Sequence, residues 1–368
     1  MSTFVKARCH CGLNVLNIKF STSSLPLPSI ICHCNSCRHS TGQMARNYIP
    51  FEGEPTSFLT NKPIDFENLT GYHTSPSTTR WFCNICSTHL IASSTEIKVW
   101  YVAVGALERA GGIVQFTGHI WVSDTLDGGT ADHLSVFDER KIPRYSEFPV
   151  VEGGTLPLGW RGVTENPSPD QLSAYCHCRA ISFSITRPSL ESKLPSSPYP
   201  DFLFPHDTTP ITHLGNPDNE KWWLRPVDSE NPTHYLAGYC ACSTCRLVTG
   251  SEVQCWAFVP RSNIIFHGGT PDGLPVEIDL VDEDKRPKHL KRYDSSPTRH
   301  REYCDRCGAT VFFWTDIRRD LIAISTGLFN ERQDGSRAEG WLDWHLERVG
   351  FSEQASRKSM VDAIVSHK

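Results

Sequence analysis

Fourteen of the fifteen cysteines in this chain fall into two series with the same order and spacing. The first is Cys9, Cys11, Cys32, Cys34, Cys37, Cys83 and Cys86. The second is Cys176, Cys178, Cys240, Cys242, Cys245, Cys304 and Cys307, and Cys255 stands outside both. Each series spells C-x-C, then C-x-C-x-x-C, then C-x-x-C. Thiolate sulfur is a soft donor that selects zinc among the available metals, and short C-x-C and C-x-x-C loops bring two sulfurs to one ion. A tetrahedral structural site takes four ligands, so seven cysteines divide as four and three. The outer pairs, Cys9/Cys11 with Cys83/Cys86 and Cys176/Cys178 with Cys304/Cys307, are expected to close one structural site in each half. Such sites contribute to folding directly, because metal binding and folding are coupled. The inner triplets, Cys32, Cys34 and Cys37 with their counterparts Cys240, Cys242 and Cys245, then keep an open fourth position. That is the arrangement of a catalytic zinc. Three thiolates leave Zn²⁺ with a net charge of about −1, which weakens it as a Lewis acid and suits a sulfur ligand better than the ionisation of water. Two other readings of the triplets stay open. A His or Asp from elsewhere could complete a second structural site, or the C-x-x-C pair could serve as a redox dithiol.

The elements that position these sulfurs come twice. Cys37-Arg-His-Ser-Thr-Gly42 matches Cys245-Arg-Leu-Val-Thr-Gly250, Phe82-Cys-Asn-Ile-Cys86 matches Tyr303-Cys-Asp-Arg-Cys307, and Val102-Ala-Val-Gly-Ala-Leu-Glu108 resembles Ile324-Ser-Thr-Gly-Leu-Phe-Asn330. An internal duplication predicts two domains, 1–147 and 171–368, joined by a Pro/Gly-rich linker over 148–170. The second copy carries a proline-rich insertion at about 187–236, expected to hold neither a long helix nor a central strand. Its Phe202, Phe204, Trp222 and Trp223 leave two roles, a loop packed on its own domain or a substrate lid. Regular segments read as strands, among them 13–20, 97–104, 180–185 and 309–314, each short and rich in β-branched or aromatic residues. Helical periodicity is scarce and best after Phe351. The expected fold class is mainly β.

With 368 residues, 39% of them hydrophobic and 10% aromatic, each half can bury a core. Lys and Arg number 36 against 41 Asp and Glu, a net charge of −5 that does not suit a partner built of phosphates or an anionic membrane surface. No run of 18 apolar residues is present, so no membrane span is expected. No apolar stretch precedes Cys9, and an odd cysteine count argues against a disulfide framework. A reducing, cytoplasmic setting is the expectation, with a small-molecule thiol or thiol adduct as partner and no nucleic acid. The oligomeric state is left open.

His10, His33 and His177 each sit inside a C-x-C, where a side chain points away from the metal its neighbours bind, and Ala241 replaces His33 in the second copy. Cys255 reads as a small buried apolar residue. Arg38 and Arg246, one residue beyond each triplet, are candidates to pair a substrate carboxylate or to bond a loop carbonyl. Thr41, Gly42, Thr249 and Gly250 complete the candidate substrate-binding set. No proton carrier is singled out among Asp124, His119, Asp343 and His345.

Taken with their spacing, these motifs resemble the glutathione-dependent formaldehyde-activating enzyme family, which also includes centromere protein V. The residues that carry the resemblance are Cys9-His-Cys11-Gly12, Cys32-His-Cys-Asn-Ser-Cys37-Arg38 with Thr41-Gly42, and Phe82-Cys83 with Cys86. In the second copy they are Tyr175-Cys-His-Cys178, Cys240-Ala-Cys-Ser-Thr-Cys245-Arg246 with Thr249-Gly250, and Cys304-Asp-Arg-Cys307-Gly308. The resemblance covers roughly 5–135 and 172–347. It implies an Mss4-like zinc-binding β fold in each copy, with a four-cysteine structural zinc and a three-cysteine catalytic zinc, hence about four zinc ions per chain. It further implies a carbon–sulfur lyase with glutathione as substrate or co-substrate; a non-catalytic zinc-stabilised scaffold is the alternative. Ser87, where the family has glycine, and the tandem copy with its insertion depart from the single-domain pattern.

Overall fold

The computed structural model describes residues 1–148, 154–165, 167–204, 215–227, 229–267 and 276–366. Pro205 and Pro210 of the insertion, and 149–153 and 166 of the linker segment, lie outside the described residues. The chain is mainly β, with five short α-helices among the described residues: α1 (Asn35–Thr41), α2 (Gly129–His133), α3 (Ser243–Thr249), α4 (Glu331–Asp334) and α5 (Lys358–Val365).

Each copy opens with an antiparallel hairpin, Ser2–Arg8 with Val15–Ser21 and Gln171–Tyr175 with Ser182–Thr186. Alternation decides their faces: Leu16, Ile18 and Phe20 are buried while Lys19 is exposed. The main sheets then repeat strand for strand. In the first copy the order is 114–120, 27–32, 46–51, 99–103, 89–94, 78–83 and 69–75. In the second it is 342–350, 234–240, 254–260, 321–325, 310–315, 299–304 and 290–296. In both copies the first pair is parallel and ends in the same register, Ile120 opposite Cys32 and Gly350 opposite Cys240. Each triplet therefore begins on the last residue of a sheet strand and runs into α1 or α3, whose left-handed C-caps are Gly42 and Gly250.

The expected strands are present as 15–21, 99–103, 182–186 and 310–315, and the tail beyond Phe351 holds α5. Up to Thr233 the insertion has no long helix and no central strand among its described residues. It forms 3-10 turns at Glu191–Lys193 and Asp201–Leu203 and a two-residue edge strand, Leu224–Arg225, beside His234–Tyr235. Trp222 and Trp223 are fully buried in the second copy's core, a contribution on the order of 4 kcal/mol each from area alone. That burial identifies this part of the insertion as domain packing.

The two copies share their interiors. The first copy's core takes in Met360, Val361, Ala363 and Ile364 of α5, together with Tyr239, Cys255 and Val349. Cys255 is thus a buried core residue, and burial pushes its thiol up. In return, residues 127–133 reach into the second copy: Asp127 accepts from the Arg337 backbone N–H at 2.6 Å, and His133 meets the Tyr239 hydroxyl at 2.7 Å. The described part of 148–170 bridges the copies, with Leu156 N–H bonded to Arg144 O and Glu165 N–H to Arg332 O.

Candidate metal centres and the seam between them

The outer cysteines converge as the spacing requires. In Cys9/Cys11/Cys83/Cys86 and in Cys176/Cys178/Cys304/Cys307 the four sulfurs lie within 4.8 Å of one another. Individual separations include 3.4 Å for Cys9–Cys11, 3.6 Å for Cys11–Cys83 and 3.5 Å for Cys178–Cys304. A regular tetrahedron with zinc–sulfur arms of about 2.3 Å has edges of about 3.8 Å. The donor set also needs a cation. Hydrogen bonding with Cys11 and Cys86 pushes the Cys83 thiol up, whereas hydrogen bonds from Cys11, Cys83 and Cys9 pull Cys86 down. Four such sulfurs cannot all ionise without positive charge between them.

Cys32/Cys34/Cys37 and Cys240/Cys242/Cys245 also cluster, and no fourth His, Cys, Asp or Glu joins either triplet among the described residues. The local backbone explains the convergence. Cys34 and Cys242 are the N-caps of α1 and α3, each sulfur accepting from the N–H three residues on at 3.3 Å. Capping turns the middle sulfur back toward the third.

A feature not anticipated from the sequence completes each triplet. Arg80 Nη2 donates to Cys37 Sγ at 3.1 Å, and Arg301 Nη2 donates to Cys245 Sγ at 3.4 Å, all buried. Hydrogen bonds from Cys32 and Cys34 lower the Cys37 thiol, and the Arg80 charge adds to them against the cost of burial. Cys245 is lowered in the same way beside Arg301. A buried guanidinium next to the sulfurs offsets the net negative charge that three thiolates place around a divalent ion.

The C-x-C histidines turn away from the sulfurs. His10 Nδ1 meets the Tyr293 hydroxyl at 2.6 Å, and His177 Nδ1 meets the Tyr72 hydroxyl at 2.7 Å. Tyr72 and Tyr293 hold the same register positions in their hairpins, opposite Arg80 and Arg301. Each histidine therefore bonds the other copy. His33 pairs with His119 at 2.9 Å behind the first triplet, and burial lowers His119 to about 4. Asp343 lies 3.7 Å from Arg225, and burial lowers His345.

The residues beyond the triplets form the seam between the copies. Arg38 Nη2 donates to Phe329 O at 2.9 Å and lies 3.4 Å from Glu331, while Arg246 Nη1 donates to Leu107 O at 3.0 Å. The guanidinium groups thus bond loop carbonyls of the opposite copy, the second of the two roles considered for them. Thr41 and Thr249 bond the carbonyls of Cys37 and Cys245. Gly42 and Gly250 adopt φ of +76° and +68°, and a Cβ there would stand 2.1 Å from Thr310 O and 2.2 Å from His89 O across the seam. Only glycine serves at either place.

A family model described as glutathione-dependent formaldehyde-activating enzyme matches residues 4–124 and 227–343, more than half of the chain and one stretch in each copy. No match was found among curated proteins or among solved structures. No helix among the described residues is long and apolar enough to cross a membrane.

Proposed function

This chain belongs to the glutathione-dependent formaldehyde-activating enzyme family through both of its copies, and on that premise we propose that it makes or breaks a carbon–sulfur bond in adducts of glutathione or a related thiol. Cys9, Cys11, Cys83 and Cys86, with Cys176, Cys178, Cys304 and Cys307, would hold two structural zinc ions. Cys32, Cys34 and Cys37, with Cys240, Cys242 and Cys245, would hold two more, about four per chain. Zinc bound at a three-cysteine site would supply a position for a substrate sulfur and stabilise it as thiolate.

The reaction class is reversible addition of a thiol to a carbonyl. In the cleavage direction the adduct's hydroxyl gives its proton to solvent and becomes the carbonyl oxygen, and the carbon–sulfur electron pair leaves on sulfur. Arg80 and Arg301 hold Cys37 and Cys245 in place and bring positive charge to where the leaving sulfur gathers negative charge. In the first copy Asp124, its carboxyl raised by burial, accepts from the Asn35 N–H at the start of the triplet helix.

The observation that carries the reading is the count of ligands: three sulfurs converge in each inner cluster and no fourth protein donor joins them among the described residues. Metal analysis of the wild type beside Cys34→Ala and Cys242→Ala, with turnover of a hydroxyalkyl thiol adduct, tests it. The expected result is one zinc fewer in each folded variant and reduced turnover. Full turnover in the double variant sinks the proposal and leaves a zinc-stabilised scaffold.

A further inference from the structure

The cleft above the second triplet is built differently from its counterpart in the first copy. A cavity of about 530 Å³ has Cys240, Cys242 and Cys245 at its floor, within the size range of sites for small organic molecules. Its walls include Trp256, Phe258, Phe313 and Phe351, and the insertion adds Phe202 at one side. Strand register gives the first-copy equivalents. Tyr48 stands for Trp256, Pro50 for Phe258 and Ala92 for Phe313. Trp121 stands for Phe351, each the left-handed residue before a 3-10 turn. Four aromatic walls in the second copy thus answer to two in the first.

The same cleft has cations and no matching supply of acids. Arg299, Arg301 and Arg318 line it, and among the described residues Asp201 is its one carboxylate, 3.2 Å from Arg318. Arg299 has Thr78 as its first-copy equivalent. Arg301 is 3% exposed, and its Nη1 has no hydrogen-bond partner among the described residues, although its Nη2 is engaged by Cys245. A buried guanidinium nitrogen left unpaired is costly, and an oxyanion is the group that satisfies it best. Because that nitrogen belongs to the group touching Cys245, the oxyanion must lie near the reacting sulfur.

We infer that the second copy takes a thiol adduct carrying an aromatic group and an oxyanion, the ring lying among Phe258, Phe313 and Phe351 and the anion on Arg301. This inference rests on the open three-cysteine site proposed above and adds its substrate class. It separates the copies: the first has Pro50 and Ala92 where the second has Phe258 and Phe313, and Thr78 where the second has Arg299.

Calorimetric titration of the zinc-loaded full chain tests it, with 4-(mercaptomethyl)benzoate as probe and benzyl mercaptan, 3-mercaptopropionate and glutathione, all of them alkyl thiols, as references. One 4-(mercaptomethyl)benzoate per chain should bind preferentially, at the second site, about tenfold or more tighter than the thiol lacking the carboxylate or the one lacking the ring. Phe351→Ala, at a partly exposed position, and Phe313→Ala, which installs the first copy's residue, should each remove most of the preference for the ring while zinc content stays unchanged. Cys242→Ala should abolish the binding, and Cys34→Ala should leave it intact. Equal binding of all four thiols overturns the inference while leaving the thiol-binding site standing. Retention of the aromatic preference in both Phe variants also overturns it. Failure of every thiol to bind removes the open site itself.

Discussion

The two triplets share a backbone and differ in what surrounds it. Behind the first lies a polar pair, His33 with His119, where the second has Ala241 and Val349. At the helix start, Asn35 N–H is bonded by the carboxylate of Asp124, and Ser243 N–H by the amide of Gln354. In front, the second copy has the aromatic cleft and its arginines. Duplication therefore preserved the sulfur geometry and let the surroundings diverge. The lesson is that three cysteines and one guanidinium recur in both centres, whereas the residues one layer out differ and, on the proposed function, would set which adduct reaches each.

The seam shows the same mixture of repetition and divergence. Arg38 and Arg246 make matching bonds, but Glu331, which receives Arg38 and His39, has Arg109 at its place in the first copy. Burial pushes the Glu331 carboxyl up, but the hydrogen bond from His39 and the Arg38 charge outweigh it and hold the group at about 2.

The largest effect expected to break this comparison comes from the four-cysteine sites. Cys83→Ala and Cys304→Ala should each forfeit most of a structural zinc contribution on the order of 10 kcal/mol. Because the copies share core and seam, calorimetry should show the whole chain losing its cooperative transition in either variant. A separate, unshifted transition for the unmutated copy would show that the copies are independent.

A smaller effect distinguishes the two sides of the seam. A carboxyl lowered on folding stabilises above its unfolded value and loses that contribution as pH falls toward the folded value. Glu331 should therefore add at most about 3 kcal/mol above roughly pH 4.5, declining toward pH 2. Unfolding of Glu331→Gln followed by circular dichroism should give a flatter pH dependence than the wild type across that window, with equal zinc content at pH 7. Matching slopes would place the carboxylate outside the energetics of the seam.

The smallest effect sharpens the likeness of the centres. Arg80→Met and Arg301→Met should each weaken metal retention at its own triplet by about 10- to 100-fold, as outer partners of metal ligands do. Competition with a chromophoric chelator would measure it. A loss in one copy only would mean that the two guanidiniums are not equivalent.

Much of this arrangement is legible in the cysteine spacing. Short C-x-C and C-x-x-C turns leave few ways to place their sulfurs, so the four-plus-three division follows from local geometry. Arg80 and Arg301 escaped notice because a single arginine within a strand carries no periodic signal. A faint one existed, since each stands three residues before the first cysteine of the last pair, in Arg80-Trp-Phe-Cys83 and Arg301-Glu-Tyr-Cys304. The role of Thr41-Gly42 and Thr249-Gly250 was harder to read, because a glycine that admits a neighbouring carbonyl looks the same as one that admits a ligand. Which atoms stand opposite depends on how the copies meet, and that is a property of long-range topology. The insertion is partly readable: its aromatic residues leave both packing and a lid open, and only the long-range placement assigns Trp222 and Trp223 to the core and Phe202 to the cavity wall.

Helix α5 has a consequence for how this protein comes into being. Its apolar face fills the first copy's interior, although some 220 residues, the linker and nearly all of the second copy among them, intervene between that copy's last strand pair and the helix. During synthesis the amino-terminal half must wait, with part of its core unfilled, until the second copy and the helix behind it have been made. Pairing over such separations is slow, and exposed apolar surface invites aggregation meanwhile. Early capture of metal by Cys9, Cys11, Cys83 and Cys86 would give the nascent half a staple while it waits for its plug.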